Sequence, residues 1–348
     1  MRMNEVCIEE DKTILEAMKQ LDTSGKKVLF VQKEGKLLAS LTDGDVRRWI
    51  LKNGGLQFTV KHAANYEPKY LYEGQADLAG QMIKKYGIDA VPIVDENRFI
   101  RQIVYANKTI PEQSRFEGEI PVVMMAGGLG SRLSPYTNIL PKPLIPIGDY
   151  PIAEHIIRRF CAYGCREFYM IVNYKRNMIK AYFDELEKDY RLEFIAEEKA
   201  LGTGGGISLL KGKIKSTFIL TNCDILIDDD LTKAYRQHRE SGNLITMVCS
   251  LKNFTIPYGV VNVGQDGAIE SMREKPDMSF FTNTGCYFVE PEVVEGLAYN
   301  EPADFPSIIE TYIGGGKKAG IYPIGEDAWL DMGQPEEMEK MKARLGCG

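Results

Sequence analysis

Between residues 125 and 148 the chain reads MAGGLGSRLSPYTNILPKPLIPIG, a set of residue types suited to holding phosphate. Gly127, Gly128 and Gly130 follow an apolar run. Such glycines let a backbone turn tightly and leave its N–H groups open to an anion at a strand end. Arg132 stands two residues after the last glycine, and Lys142 follows ten further on between Pro141 and Pro143. Charge building up on a transferring phosphorus needs fixed cations opposite it, and an arginine fork with a lysine point charge supplies them. The flanking prolines restrict the backbone around Lys142, so less entropy is lost in orienting it. The spacing is neither the GxxxxGK[ST] loop nor the GxGxxG fingerprint.

Carboxylates complete this chemistry. Asp224 closes TNCD (221–224) after the largely apolar STFIL, where an open sheet places an acid on the crevice side. Asp331 lies in AWLDMG (328–333); by itself it reads as readily as a turn residue. Two acids brought to one crevice would suit Mg²⁺, which takes oxygen ligands and keeps waters and substrate phosphates around it. Histidines 62, 155 and 238 are scattered, and the seven cysteines (7, 161, 165, 223, 249, 286, 347) form no framework. Neither a zinc site nor a serine-histidine-aspartate arrangement is expected, and the cysteines read as reduced, with Cys223 a packing residue.

The segment 125–148 resembles the signature of the sugar-1-phosphate nucleotidyltransferases, GGxGTRLxPxTxxxPKPLxPV, with Ser131 in place of the usual threonine. The likeness extends over 120–348. It implies an α/β fold with a mixed, mostly parallel, Rossmann-like (GT-A-like) sheet and Mg²⁺-dependent transfer of a nucleotidyl group from a nucleoside triphosphate to a sugar 1-phosphate. Arg132 and Lys142 would hold the phosphates, and Asp224 and Asp331 the metal. Met125, Ala126, Gly127, Gly128, Gly130 and Ser131 would lie along the nucleotide. So would Gly202, Thr203 and Gly204 of EEKALGTGGG (197–206). Tyr258, Gly259, Glu274, Lys275, Asn283 and Gly285 would surround the sugar phosphate.

Where pyrimidine-using relatives typically carry glutamine, this chain has Glu197. A carboxylate only accepts hydrogen bonds, and guanine offers two adjacent donors, N1–H and the 2-amino group, so GTP is the expected substrate, with CTP next. The domain arrangement resembles that of guanylyltransferases acting on glucosamine 1-phosphate in legionaminic acid synthesis. Mannose, N-acetylglucosamine and heptose phosphates stay open, as do uridine and thymidine nucleotides and a regulatory homologue without turnover.

These segments need a scaffold, and the 348 residues exceed one ordinary domain. Helical spacing at 13–22, strands at 27–32 and 36–41 and a helix at 43–54 are followed by a weaker copy with a helix at 76–87 and strands at 90–95 and 98–105. Two such units predict an internal duplication whose halves pack together. Residues 1–112 resemble tandem cystathionine-β-synthase (CBS) domains. Thr42 and Asp45 of TDGD would contact an adenine nucleotide, while Thr42 can also cap the helix that follows, with Arg47 and Arg48 nearby. The second copy has no matching aspartate in IVYANKT (103–109). The polar run 106–119 suggests a linker, so the expected division is 1–112, a linker at 113–119, and 120–348. From 120 on, apolar runs alternate with helical stretches, the pattern of an open, mostly parallel sheet. No hexapeptide repeats of an acyltransferase β-helix follow.

A net charge of −6 argues against wrapping nucleic acid. No apolar run is long enough to span a membrane and no leader precedes the first element, so a cytoplasmic enzyme is expected. A homo-oligomer is the expectation from base rates alone.

Overall fold

A computed structural model describes residues 5–24, 26–52, 54–105, 115–333 and 335–345. The chain separates into two compact units, Met1–Glu112 and Gln113–Gly348.

The first unit repeats one topology. Strand β1 (Cys7–Glu9) leads into helix α1 (Ile14–Ser24), and β2 (Val28–Lys33) and β3 (Lys36–Thr42) follow, with β1 parallel and β3 antiparallel to β2. Strand β4 (Leu71–Tyr72), helix α3 (Ala79–Tyr86), β5 (Ala90–Val94) and β6 (Ile100–Tyr105) repeat the order and the pairing. Helix α1 buries Ile14, Ala17 and Leu21, one stripe of its surface. The halves pack on each other: Val28, Phe30 and Leu37 share a core cluster with Ala90, Val94 and Ile100.

Between the halves, α2 (Asp43–Leu51) begins at Thr42, whose Oγ1 accepts from the Asp45 N–H at 3.1 Å. Asp45 Oδ2 answers by accepting from the Thr42 N–H at 2.8 Å and hydroxyl at 2.6 Å, a closed capping box. Arg47 pairs with Asp43, and Arg48 with Asp45. The residues 106–109, where the second copy departs from TDGD, lie outside the described residues.

The second unit is built on a seven-stranded sheet. In chain order its strands are β7 (Val122–Ala126), β8 (Glu167–Val172), β9 (Arg191–Ala196), β10 (Phe218–Asn222), β12 (Ile245–Thr255), β15 (Asp277–Val289) and β16 (Ala319–Ile324). Their order is β9-β8-β7-β10-β15-β12-β16, and β15 alone runs against its neighbours. This is the mixed, mostly parallel α/β sheet expected. Such a sheet is covered on both faces, so its strands read as unbroken apolar runs. Alternate residues of VVMM go to opposite sides: Val122 and Met124 join the core with helices Ile152–Ala162 and Leu231–Ser241, while Val123 joins the one with Phe305–Gly314.

The segment 115–119 forms neither helix nor strand, yet it is tied to the core of the second unit. Phe116 is buried, packs edge-on against Tyr235 and Phe288, and its N–H donates to Tyr163 O at 3.0 Å. One aromatic residue inside a polar stretch anchored it to the core, which averaged composition conceals.

Strand β7 is the topological switch: the chain proceeds to β8 on one side and later returns to β10 on the other. The crevice outside the carboxyl ends of β7 and β10 is where open α/β sheets bind ligands.

Candidate active site

Strand β7 ends at Ala126 and releases the glycine loop into that crevice. Gly130 takes left-handed backbone (φ 67°), and a Cβ there would stand 2.7 Å from Thr137 Cγ2 and 3.2 Å from Lys142 Cβ. The Thr137 hydroxyl donates to Gly130 O at 2.9 Å. Ser131 opens a short turn, Ser131–Leu133, that presents Arg132 at the surface. Lys142 begins a second, Lys142–Leu144, between the buried Pro141 and Pro143. From there its ammonium makes an ion pair with Asp224, both side chains largely buried.

The two acids meet through a small ribbon. After β10 the chain runs from Asp224 into β11 (Ile225–Ile227), which pairs antiparallel with β17 (Trp329–Asp331) so that Ile225 lies opposite Asp331. The Met332 N–H donates to Asp224 O at 2.9 Å and locks the register. Burial, followed by the negative charge of Asp224, pushes the Asp331 carboxyl above the usual carboxylate range, while the Gly333 N–H, Lys142 and Arg132 pull it back. Acids under mutual repulsion on a crevice wall fit a hard divalent cation. Among the described residues no group of three or more His, Cys, Asp or Glu side chains stands ready for a metal. An ion held by Asp224 and Asp331 would therefore draw its other ligands from water and phosphate oxygens, the habit of Mg²⁺.

A cavity of about 260 Å³ opens here, and Arg132, Thr203, Asp224, Asn283, Gly285 and Asp331 all line it. Glu197 is not among the residues that line this cavity. It is 5% exposed, and its Oε1 is buried with no hydrogen-bond partner among the described residues. A Cβ on Gly127 would lie 2.8 Å from its Oε2, and one on Gly206 2.4 Å from Oε1. A side chain at either place would push the Glu197 carboxylate aside. Burial raises the Glu197 carboxyl, and hydrogen bonds from the Asn173 side chain and the Leu201 N–H offset this in part. Half-buried Met125 packs beside the same spot, its Cε 3.3 Å from the position a Gly206 Cβ would take, and Ala126 is buried in the strand.

Thr203 and its neighbouring glycines are held by a helix start. The Thr203 hydroxyl accepts from the Phe305 N–H at 3.2 Å, and Gly204 N–H donates to Ala303 O at 2.9 Å, so Gly202–Gly204 pack against the start of helix Phe305–Gly314. Tyr258, Gly259, Glu274 and Lys275 do not line the cavity. They flank an exposed two-stranded ribbon, β13 (Val260–Val263) with β14 (Ile269–Arg273), and Tyr258 is 74% exposed. The sequence reading missed Asn173, Asn222 and Trp329. Asn222 and Trp329 line the cavity, while Asn173 bonds Glu197. Asn173 had the same signal as Asp224, a polar residue closing an apolar strand; Trp329 had none.

A Methanococcus maripaludis "Bifunctional protein GlmU" is 33% identical over 222 residues, 61% of this chain and 51% of that protein. The chain thus spans about half the length of such relatives. A mannose-1-phosphate guanylyltransferase of Mycobacterium tuberculosis is 28% identical over 239 residues, 66% of each chain. The crystal structure of HddC from Yersinia pseudotuberculosis shares the fold, with a TM-score of 0.52 at 22% identity over 65% of this chain and 99% of that one. Residues 121–346 match the model of one family, and with well over half of its length inside that match the chain belongs to the nucleotidyl transferase family.

Proposed function

We propose that this protein transfers a nucleotidyl group from a nucleoside triphosphate to a sugar 1-phosphate and releases pyrophosphate. The convergence of Arg132, Lys142, Asp224 and Asp331 on one crevice carries the reading. A sugar-phosphate oxygen attacks the α-phosphorus in line as pyrophosphate departs. The nucleophile is already anionic, so no side chain need activate it, and catalysis rests on positioning and charge compensation. Lys142 and Arg132 hold the phosphates against the charge that develops. Asp224 and Asp331 would hold Mg²⁺, which supplies charge neutralisation on the phosphate oxygens when bound.

For the base we infer guanine. The observation behind this is the buried, unpartnered Glu197 Oε1, an acceptor left over beside Gly127 of the glycine loop. Guanine's two donors satisfy it, whereas uracil and thymine would set carbonyl lone pairs against it. For the sugar, the mannose-1-phosphate guanylyltransferases among the relatives, from Mycobacterium tuberculosis and Aspergillus fumigatus, favour mannose 1-phosphate. Glucosamine 1-phosphate, and a place in legionaminic acid synthesis, has only the resemblance of the N-terminal segment behind it.

The first unit is read as a tandem CBS pair, 1–112, and the repeated strand-helix-strand-strand order supports this. An adenine nucleotide there would have to share Thr42 and Asp45 with their capping box. Calorimetry of the full chain with AMP, ADP and ATP tests it, and absence of heat points to a scaffold.

Pyrophosphate release with Mg²⁺ across the four nucleoside triphosphates, each paired with mannose, glucosamine, N-acetylglucosamine and glucose 1-phosphates, tests the reading. Turnover with GTP and mannose 1-phosphate above all other pairs is expected. Preference for UTP or dTTP would overturn the base assignment, and silence across the matrix the activity.

A further inference from the structure

Lys175 belongs to no segment that the signature sequence marks, yet it holds that segment from behind. It stands three residues after β8 in left-handed backbone, φ 49° and ψ 32°, a conformation that costs a non-glycine residue free energy and persists only where its surroundings impose it. From there its ammonium donates to three consecutive carbonyls: Thr137 O at 3.5 Å, Asn138 O at 2.6 Å and Ile139 O at 2.8 Å. These end the one-turn helix Tyr136–Ile139. Helix-end carbonyls lack intrahelical partners and favour a cation, and one turn cannot sustain itself in water.

That turn joins the two halves of the phosphate-binding segment. On one side the Thr137 hydroxyl holds Gly130 O, and on the other the chain passes through Leu140 and Pro141 to Lys142, which pairs with Asp224. The Cβ of Lys142 also bears on Gly130. We propose that Lys175 is a positioning residue for nucleotidyl transfer: by fixing the Tyr136–Ile139 turn it sets the glycine loop and the Lys142 ammonium in register with each other. The proposal rests on the function proposed above, and its effect falls on the nucleotide side of the reaction.

The test compares Lys175→Met and Lys175→Arg in the full chain by amide hydrogen exchange, by GTP affinity with Mg²⁺ and by steady-state turnover. The methionine variant should exchange faster at Leu140, Leu144 and Ile145 while protection in β7, β8 and β10 is kept. Its GTP affinity should weaken and its kcat fall, together about 10- to 100-fold, with KM for the sugar phosphate unchanged. Arginine, which keeps donors and charge, should restore most of the loss. Unchanged exchange and affinity in Lys175→Met overturns the proposal; so does a loss of protection spread evenly over the unit, or a rise in both KM values alike. If the methionine variant does not fold, Lys175→Gln is read by the same criteria. If no substrate pair is turned over by the unaltered protein, the functional reading fails, and exchange at 140–145 still decides whether Lys175 holds the turn.

Discussion

The Thr42–Asp45 pair of the first unit and the Lys142–Asp224–Asp331 group of the second are built from similar residue types, yet the structure spends them differently. Thr42 and Asp45 lie three residues apart and satisfy each other through hydroxyl, carboxylate and backbone N–H. Arg48 closes on Asp45 as well. The second group gathers side chains from three remote segments, and capacity is left over: Asp331 sits under the charge of Asp224, and in the same unit Glu197 keeps a buried oxygen without a partner. Polar groups satisfied by their own neighbours stabilise a helix end. Polar groups brought together at a cost in desolvation and repulsion are poised for something that arrives from solution.

Four substitutions test that contrast. The largest effect belongs to Asp224→Asn, which should lower pyrophosphate release roughly 10³-fold or more while circular dichroism at room temperature stays that of the unaltered protein. Retained activity would remove Asp224 from the site. Next, Lys142→Met leaves the buried Asp224 carboxylate without its cation, so equilibrium unfolding in urea should show a loss of about 3 kcal/mol as well as a collapse of turnover. An unchanged midpoint would mean that the ion pair contributes nothing to the fold.

Glu197→Gln should reduce kcat/KM for GTP about 10- to 100-fold and narrow the gap to UTP and dTTP, measured by competition in one assay. It also carries a pH signature. Burial raises the Glu197 carboxyl, so its contribution to stability is whole below the ordinary carboxylate range and is lost as pH rises through the elevated value. Without nucleotide, the glutamine variant should therefore melt above the unaltered protein at pH 7 and level with it at pH 4. The smallest effect is that of Thr42→Ala, about 1 kcal/mol from the lost cap and no change in pyrophosphate release without effector. A fall in turnover there would show that the capping box does more than end a helix.

Much of this was legible in the residues. The runs VVMM, EFYMIV and FILT announce strands buried on both faces, and the glycines announce a tight turn at the end of the first of them, because local chain chemistry suffices for both. Asp331 was ambiguous for a physical reason: what makes it more than a turn residue is the pairing of β11 with β17, more than a hundred residues apart in sequence. Phe116 was missed because its partners, Tyr163, Tyr235 and Phe288, come from three distant elements. Of the residues the resemblance grouped around the sugar, Asn283 lines the cavity while Tyr258 and Lys275 flank an exposed ribbon, a placement set by the long strands β12 and β15 rather than by the motif.

The sequence by itself determined the repeated first unit, the open α/β sheet, the glycine loop and the acid at the end of an apolar strand. Each of these follows from periodicity, glycine freedom and the burial of apolar runs, which act over a few residues. Only the tertiary structure decided that Lys142 pairs with Asp224, that Asp331 stands beside them, that Gly127 and Gly206 lie against the Glu197 carboxylate, and that Lys175 bonds the end of the Tyr136–Ile139 turn. Those contacts join segments far apart in the chain, and their geometry is set by how strands register and helices pack rather than by any local preference.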